Sequence, residues 1–220
     1  MFKKKYTYPP PNEATLINKF NIKNFDRARA MERDLSALNL TDVGFVTGNF
    51  DTKHIKAIHK HLFQDMYDWA GQFRKVNLYK QNVSFVTCDK LENWFNNLSK
   101  QLSANIEMRS GISKENAAEF MAKYYRAYNY GHPFREGNGR VGRVLLTQMS
   151  EQAGFDLSFK NVSTREWTDA SIESRYGDYS MLKDIFERNL TLQNQPVHRK
   201  DFSSILEFEQ TNEHDTGYEL

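Results

Sequence analysis

The chain has 220 residues, 39% hydrophobic and 14% aromatic, enough apolar material for one main core. Lys and Arg number 30 against 28 Asp and Glu, and a net charge of +2 excludes a general electrostatic pull onto nucleic acid or an anionic membrane. The single cysteine, Cys88, excludes an internal disulfide and a cysteine metal cage; with no base beside it in sequence it reads as a semi-buried small hydrophobe in a reducing compartment.

The first residues, Met1-Phe-Lys-Lys-Lys-Tyr-Thr-Tyr-Pro9, are basic, but no apolar run follows. No stretch approaches the roughly 18 consecutive apolar residues of a membrane span, so neither a cleaved signal nor membrane insertion is expected. Residues 1–14 read as an N-terminal extension. Ala28, Met31, Leu35 and Leu38 form a helical stripe, and Ile55, Ile58, Leu62, Met66 and Trp69 form a second that stops at Gly71. Between Gln72 and Val86 the period changes to alternation, with Lys80-Gln81-Asn82 able to turn, and predicts a short hairpin.

Asp89, with Glu92 three residues later, predicts a capped helix whose apolar face is Leu91, Trp94, Phe95, Leu98 and Leu102. Ser113 caps the next, with Ala117, Phe120, Met121, Tyr124 and Tyr128 on one face. It must end near Gly131, because Pro133 disfavours a helical residue at 132. Further helices are predicted from Gly139 through Val141, Val144, Leu145 and Met149 to Gly154, then over Ser163 to Ser174 and Asp178 to Leu190. No internal repeat is present, and residues 191–220 read as a tail or the start of a linker to a further domain. The expectation is a mostly α domain over 15–190, a helical bundle with a β-hairpin flap beside the loop 132–139.

That loop carries the chemistry. Gly137 and Gly139 let backbone N–H groups approach a ligand at a helix N-terminus, whose dipole favours an anion. Arg140 and Arg143, three apart on that helix, reach the same side of the anion hole and suit a polyphosphate. Glu136, beside a phosphate, implies a divalent cation between the two; Mg²⁺ favours that pairing. A helix N-terminal Glu complementing the dipole accounts for the same spacing. His132 is the nearby side chain able to accept a proton near neutral pH, a candidate general base, and Phe134 an apolar anchor.

His132-Pro-Phe-Arg-Glu-Gly-Asn-Gly-Arg-Val-Gly-Arg143 resembles the full signature of the Fic family, His-Pro-Phe-x-[Asp/Glu]-Gly-Asn-Gly-Arg-x-x-Arg. His59-x-x-Leu-Phe63, Tyr67-x-Trp-Ala-Gly71 with Arg74, and Gly177-Asp178 resemble other parts of the family, so the resemblance covers roughly residues 15 to 190. It implies a Fic fold and a protein adenylyltransferase. His132 would deprotonate a Ser, Thr or Tyr hydroxyl of a target that attacks the α-phosphate of ATP, with pyrophosphate leaving. Glu136 would hold Mg²⁺, Gly137, Asn138 and Gly139 would cradle phosphates, and Arg140 and Arg143 would bind the far end of the chain. The flap around Asn82 to Val86, with Asn82 and Val83 foremost, would dock an extended target segment by strand addition. Tyr176 and Asp178 sit where the family's late helix approaches the nucleoside.

Relatives with Lys at the second loop glycine are Doc-like kinases; Gly139 makes nucleotidyl transfer the expectation and γ-phosphoryl transfer the enzymatic alternative. A non-catalytic adaptor that binds ATP or a peptide is the other, against which an intact His132 and Glu136 argue, and a nucleic-acid reader lacks its basic stripe. Many Fic proteins are held inactive by a helix with a [Ser/Thr]-x-x-x-Glu-[Gly/Asn] motif, whose Glu pairs with the second motif arginine. Ser203-Ser-Ile-Leu-Glu207-Phe208 has the spacing but ends in Phe and is read as a chance match, so a separate antitoxin-like inhibitor acting on Arg143 is expected. Tyr6-Thr-Tyr-Pro9 resembles the start of Fic domains in bacterial effectors. That implies a fragment of a longer protein delivered to host cytosol, with targets such as small GTPases; otherwise the chain is a toxin of the bacterial cytoplasm.

Overall fold

The computed structural model describes residues 6–80, 83–104, 111–193 and 202–210. The expectation of a mostly α fold holds, and the helices gather around α5 (Asn138–Ala153). Twelve of its sixteen residues are buried, from Asn138 and Val141 through Arg143, Leu145 and Met149 to Ala153, the signature of a helix enclosed on nearly all sides. Beside it lies α4 (Lys114–Gly131), capped as predicted by Ser113, whose hydroxyl accepts the Asn116 N–H. The two pack closely: a Cβ at Gly142 would sit 3.0 Å from Tyr125 and 3.1 Å from Tyr128.

Around this pair stand α1 (Phe25–Leu40), α2 (Thr52–Phe63), α3 (Leu91–Ala104), α6 (Thr164–Tyr176), α7 (Ser180–Asn189) and α8 (Ser203–Gln210). The predicted flap is present: β1 (Tyr79–Lys80) pairs antiparallel with β2 (Val83–Ser84), Tyr79 opposite Ser84 and Lys80 opposite Val83. Asn82 lies outside the described residues, and for Val83 the backbone alone is described. A second sheet, β3 (Phe155–Leu157) with β4 (Leu190–Leu192), was not read from the sequence, its strands being three residues each and too short for a period.

Four boundaries or faces differ from expectation. The buried face of α1 is Ala28, Glu32, Ser36 and Leu40, while Leu38 is 66% exposed. The second predicted helix stops at Phe63 rather than Gly71, because the segment before α1 captures the chain beyond α2: Lys19 N–H donates to Met66 O (3.0 Å) and its Nζ to Gln64 O (2.6 Å). Asp89 does not open α3; the Trp94 N–H bonds to Lys90 O at 2.9 Å, one residue on. Residues 191–220 were read as tail or linker, yet Phe202, Ile205 and Phe208 are buried in the core from α8, and Leu190 starts β4. At the other end Tyr6 and Tyr8 are buried, and the Tyr6 hydroxyl accepts the Lys75 N–H at 3.0 Å.

Candidate active site

The loop between α4 and α5 holds one backbone shape because several side chains lock it. His132 ends α4 in the left-handed region (φ 45°), with its N–H bonded to Tyr128 O at 2.9 Å. Phe134, fully buried, stacks on His59 with centroids 3.8 Å apart. The Asn138 side chain closes the loop on itself, its Oδ1 accepting the Phe134 N–H (2.8 Å) and its Nδ2 donating to Phe134 O (2.9 Å). Sequence reading gave Asn138 a place among phosphate contacts; its amide is committed to the loop instead, and its backbone N–H belongs to the first turn of α5.

Gly137 is required twice over: its φ is +79°, and a Cβ would stand 2.3 Å from the Phe63 ring. It opens α5 with no side chain capping the helix, so the first-turn N–H groups and the positive end of the dipole face the cleft uncovered by any Ser, Thr, Asp or Asn. Glu136 sits at this end with its Oε1 accepting the Gly137 N–H at 2.9 Å. Loss of solvation pushes its carboxyl above the ordinary carboxylate range, and the nearby Glu32 adds to this, while the Gly137 N–H and Arg140 pull it back.

His59 holds the loop from below. Its Nδ1 accepts the Gly71 N–H (2.8 Å), which leaves Nε2 as the protonated nitrogen donating to Glu136 O (3.2 Å). Full burial lowers its pKa to about 3, so it is a neutral strut rather than a base. Arg74 ties the flap to the loop: Nε donates to His132 O (2.8 Å), Nη1 to Val76 O (2.8 Å), and Nη2 to Gly131 O (3.2 Å) and to Val86 O. Phe85, at the flap base, stacks on the His132 ring at 4.1 Å, and the Arg175 guanidinium lies 5.5 Å from the other partner ring in this stack, Phe85 itself.

One cleft is lined by His132, Glu136, Gly137, Asn138, Gly139, Arg140 and Arg143 together with Phe85, so the structure brings the predicted residues of 132–143 to one place. Tyr176 does not join it. That side chain is 69% exposed, and the wall of the cleft is made instead by Arg175 and by the residues of α6 one to three turns earlier, such as Ser171 and Thr168. Among the described residues no group of three or more His, Cys, Asp or Glu could hold a metal ion. Glu136 is a single carboxylate beside the uncapped N-terminus of α5, a donor set that could hold Mg²⁺ only together with phosphate oxygens, which is how this ion is commonly held.

The remaining wall was missed by sequence reading. Glu209, from α8, forms an ion pair with Arg143 and lies 3.5 Å from Arg140 Nε, while Phe208 places its ring 4.5 Å from the Arg143 guanidinium. The segment read as a chance match is therefore a helix that covers one side of the cleft, and the acid that reaches Arg143 is not Glu207. Glu207 pairs outward with Lys160 (2.9 Å). Two residues on a helix differ by about 200°, so Glu209 points to the opposite side. The signal available was the apolar set Phe202, Ile205 and Phe208, which fixes the inward face and puts Glu209 at its edge.

The Fic/DOC family model matches residues 49–150. Over 186 residues the chain is 30% identical to a probable protein adenylyltransferase Fic of Salmonella typhimurium, covering 84% of this chain and 92% of that one. It is 33% identical to protein adenylyltransferase VbhT of Bartonella schoenbuchensis, again over 84% of this chain, and spans 39% of the length of VbhT. In fold it matches the N-terminal Fic domain of a Bartonella quintana effector with bound ADP at TM-score 0.81 and 26% identity, covering 88% and 98% of the two chains. It also matches the BepC protein of Bartonella tribocorum with bound AMPPNP at 0.77 and 25% identity, covering 88% and 99%. With its signature loop intact at the N-terminus of α5, the chain belongs to the Fic/DOC family.

Proposed function

We propose that this protein transfers AMP from ATP to a Ser, Thr or Tyr hydroxyl of a target protein. The observation that carries this is the convergence of His132, Glu136, the uncapped start of α5 and two arginines on one cleft beneath the flap. His132 takes the proton of the target hydroxyl; the oxygen bonds to the α-phosphorus, the bond from that phosphorus to the β-phosphate oxygen breaks, and pyrophosphate leaves. The N–H groups of α5 and the two arginines stabilise the charge on the phosphates. A bound Mg²⁺ would be held by Glu136 and phosphate oxygens and would neutralise charge between them.

The target docks as an extended segment along Asn82 to Val86, which runs it past Phe85 and the His132 ring stacked on it. A host small GTPase is the kind of acceptor we propose, in the host cytosol after delivery of the kind described for the Bartonella effectors, or a resident protein in the bacterial cytoplasm. Among the described residues no helix is long and apolar enough to cross a membrane. Intact-mass measurement of proteins incubated with Mg²⁺ATP and the chain, beside a His132→Ala control, tests the reaction. A gain of AMP lost in the control is expected; a gain of one phosphoryl group would replace this reading with the kinase one.

Glu209 adds regulation. Its carboxylate on Arg143 occupies the place of a phosphate, so the chain restrains itself, and no separate antitoxin-type protein is needed to cover that arginine. Glu209→Ala should raise AMP transfer; unchanged transfer would return the inhibitor to a second protein.

A further inference from the structure

The centre of the buried face of α1 is polar: Glu32, only 7% exposed, and Ser36, 3% exposed, lie between Ala28 and Leu40. A buried carboxylate is costly unless charge and hydrogen bonds compensate it, and an apolar pair would hold α1 to its neighbours at least as well. What Glu32 meets is a residue of the signature loop. Its Oε1 accepts from Arg140 Nη2 at 2.6 Å, and its Oε2 accepts from the hydroxyl of Tyr67. Arg140 Nη1 donates to the Ser36 hydroxyl one turn further along α1, and the Phe63 ring lies 4.9 Å from the guanidinium. Burial and the adjacent Glu32 hold the Tyr67 hydroxyl protonated, so it remains a donor.

We propose that Glu32 is a positioning residue of the nucleotide site: with Ser36 and Tyr67 it holds the Arg140 guanidinium in place for the polyphosphate before ATP arrives. This rests on the reading of the cleft as an ATP site. Two anchors on the two terminal nitrogens and a ring beneath fix the plane of the guanidinium; Nε faces Glu209 at 3.5 Å, and with that carboxylate removed the N–H groups not used by the anchors serve a ligand in the cleft that Arg140 lines. An arginine ordered in advance loses less side-chain freedom on binding. Glu32 and Ser36 lie upstream of residues 49–150, so these two anchors belong to α1 and not to the signature segment.

The test is calorimetric binding of ATP and of AMP to the full chain carrying Glu209→Ala, which leaves the cleft uncovered. Adding Glu32→Gln should weaken ATP about tenfold and AMP by less than about twofold, since a charge-assisted contact to the polyphosphate is lost. In an Arg140→Ala background the same change should cost nothing further. Ser36→Ala, which unburies no charge, should weaken ATP about threefold with the same selectivity and serves if Glu32→Gln does not fold. Equal weakening of ATP and AMP, unchanged ATP affinity, or a full additional loss without Arg140 would overturn the proposal. ATP binding without AMP transfer would instead overturn the reaction and leave Glu32 in its role; no ATP binding by the parent would overturn both.

Discussion

Arg140 and Arg143 are three residues apart on one helix and both face Glu209, yet Arg140 has a second set of partners on α1. Arg140 is tied to α1, a sixteen-residue helix whose Ala28 and Leu40 lie in the core, through Glu32 and Ser36. Arg143 is covered by α8, an eight-residue helix that brings a carboxylate and an aromatic ring onto it. A partner on a long packed helix acts as a fixed support, whereas a partner on a single short helix can be withdrawn at the cost of a few apolar contacts. Under the proposed reading, the same residue type is a preset contact at one position and, where α8 supplies the main partner, a restrained one at the other.

The largest expected effect sets the ceiling for this comparison. His132→Ala should lower AMP transfer about a thousandfold while ATP affinity stays within about twofold, measured by labelled transfer and calorimetry, because the base is lost and both arginines remain. Glu209→Ala should raise transfer by about ten- to a hundredfold, the range of a charge-assisted pair, while Glu207→Ala, on the outward face, should leave it within about twofold. Equal effects of the two substitutions would break the distinction between a covered and a fixed arginine.

A smaller effect probes the support under the loop. His59 is neutral in the folded chain, with a pKa of about 3, but protonates near 6.5 when unfolded. The unfolded state then binds more protons, so the stability contributed by a neutral His59 is present above pH 6.5 and lost progressively down to about pH 3. Urea denaturation should show wild type losing about 1.4 kcal/mol per pH unit more than His59→Gln between pH 6 and 4. The smallest effect is expected at Tyr176, exposed and outside the cleft: Tyr176→Ala should change ATP affinity by less than about twofold in a titration, and a larger loss would return it to the nucleoside site.

The readable parts share a property: their signal is local. The cap at Ser113, the stop before Pro133 and the glycines before Arg140 act within a few residues, and the structure has a helix from Lys114 to Gly131 and another from Asn138 to Ala153. The stripe assigned to α1 failed for a physical reason. Hydrophobic periodicity assumes that apolar residues face inward, and Glu32 and Ser36 break that rule because their partner, Arg140, lies over a hundred residues away. The same holds for α8, where Glu207 had the right spacing in sequence and Glu209 the right direction in space.

The sequence by itself determined the fold class, the flap and the loop 132–143 with the chemistry it can hold, since these follow from residue types at short, fixed spacings. Only the tertiary structure decided which acid covers Arg143, which helix supports Arg140, and that the Asn138 amide locks the loop while Tyr176 stands away from the cleft. Those outcomes depend on which helix faces are brought together, and a face has no partner until the core has packed.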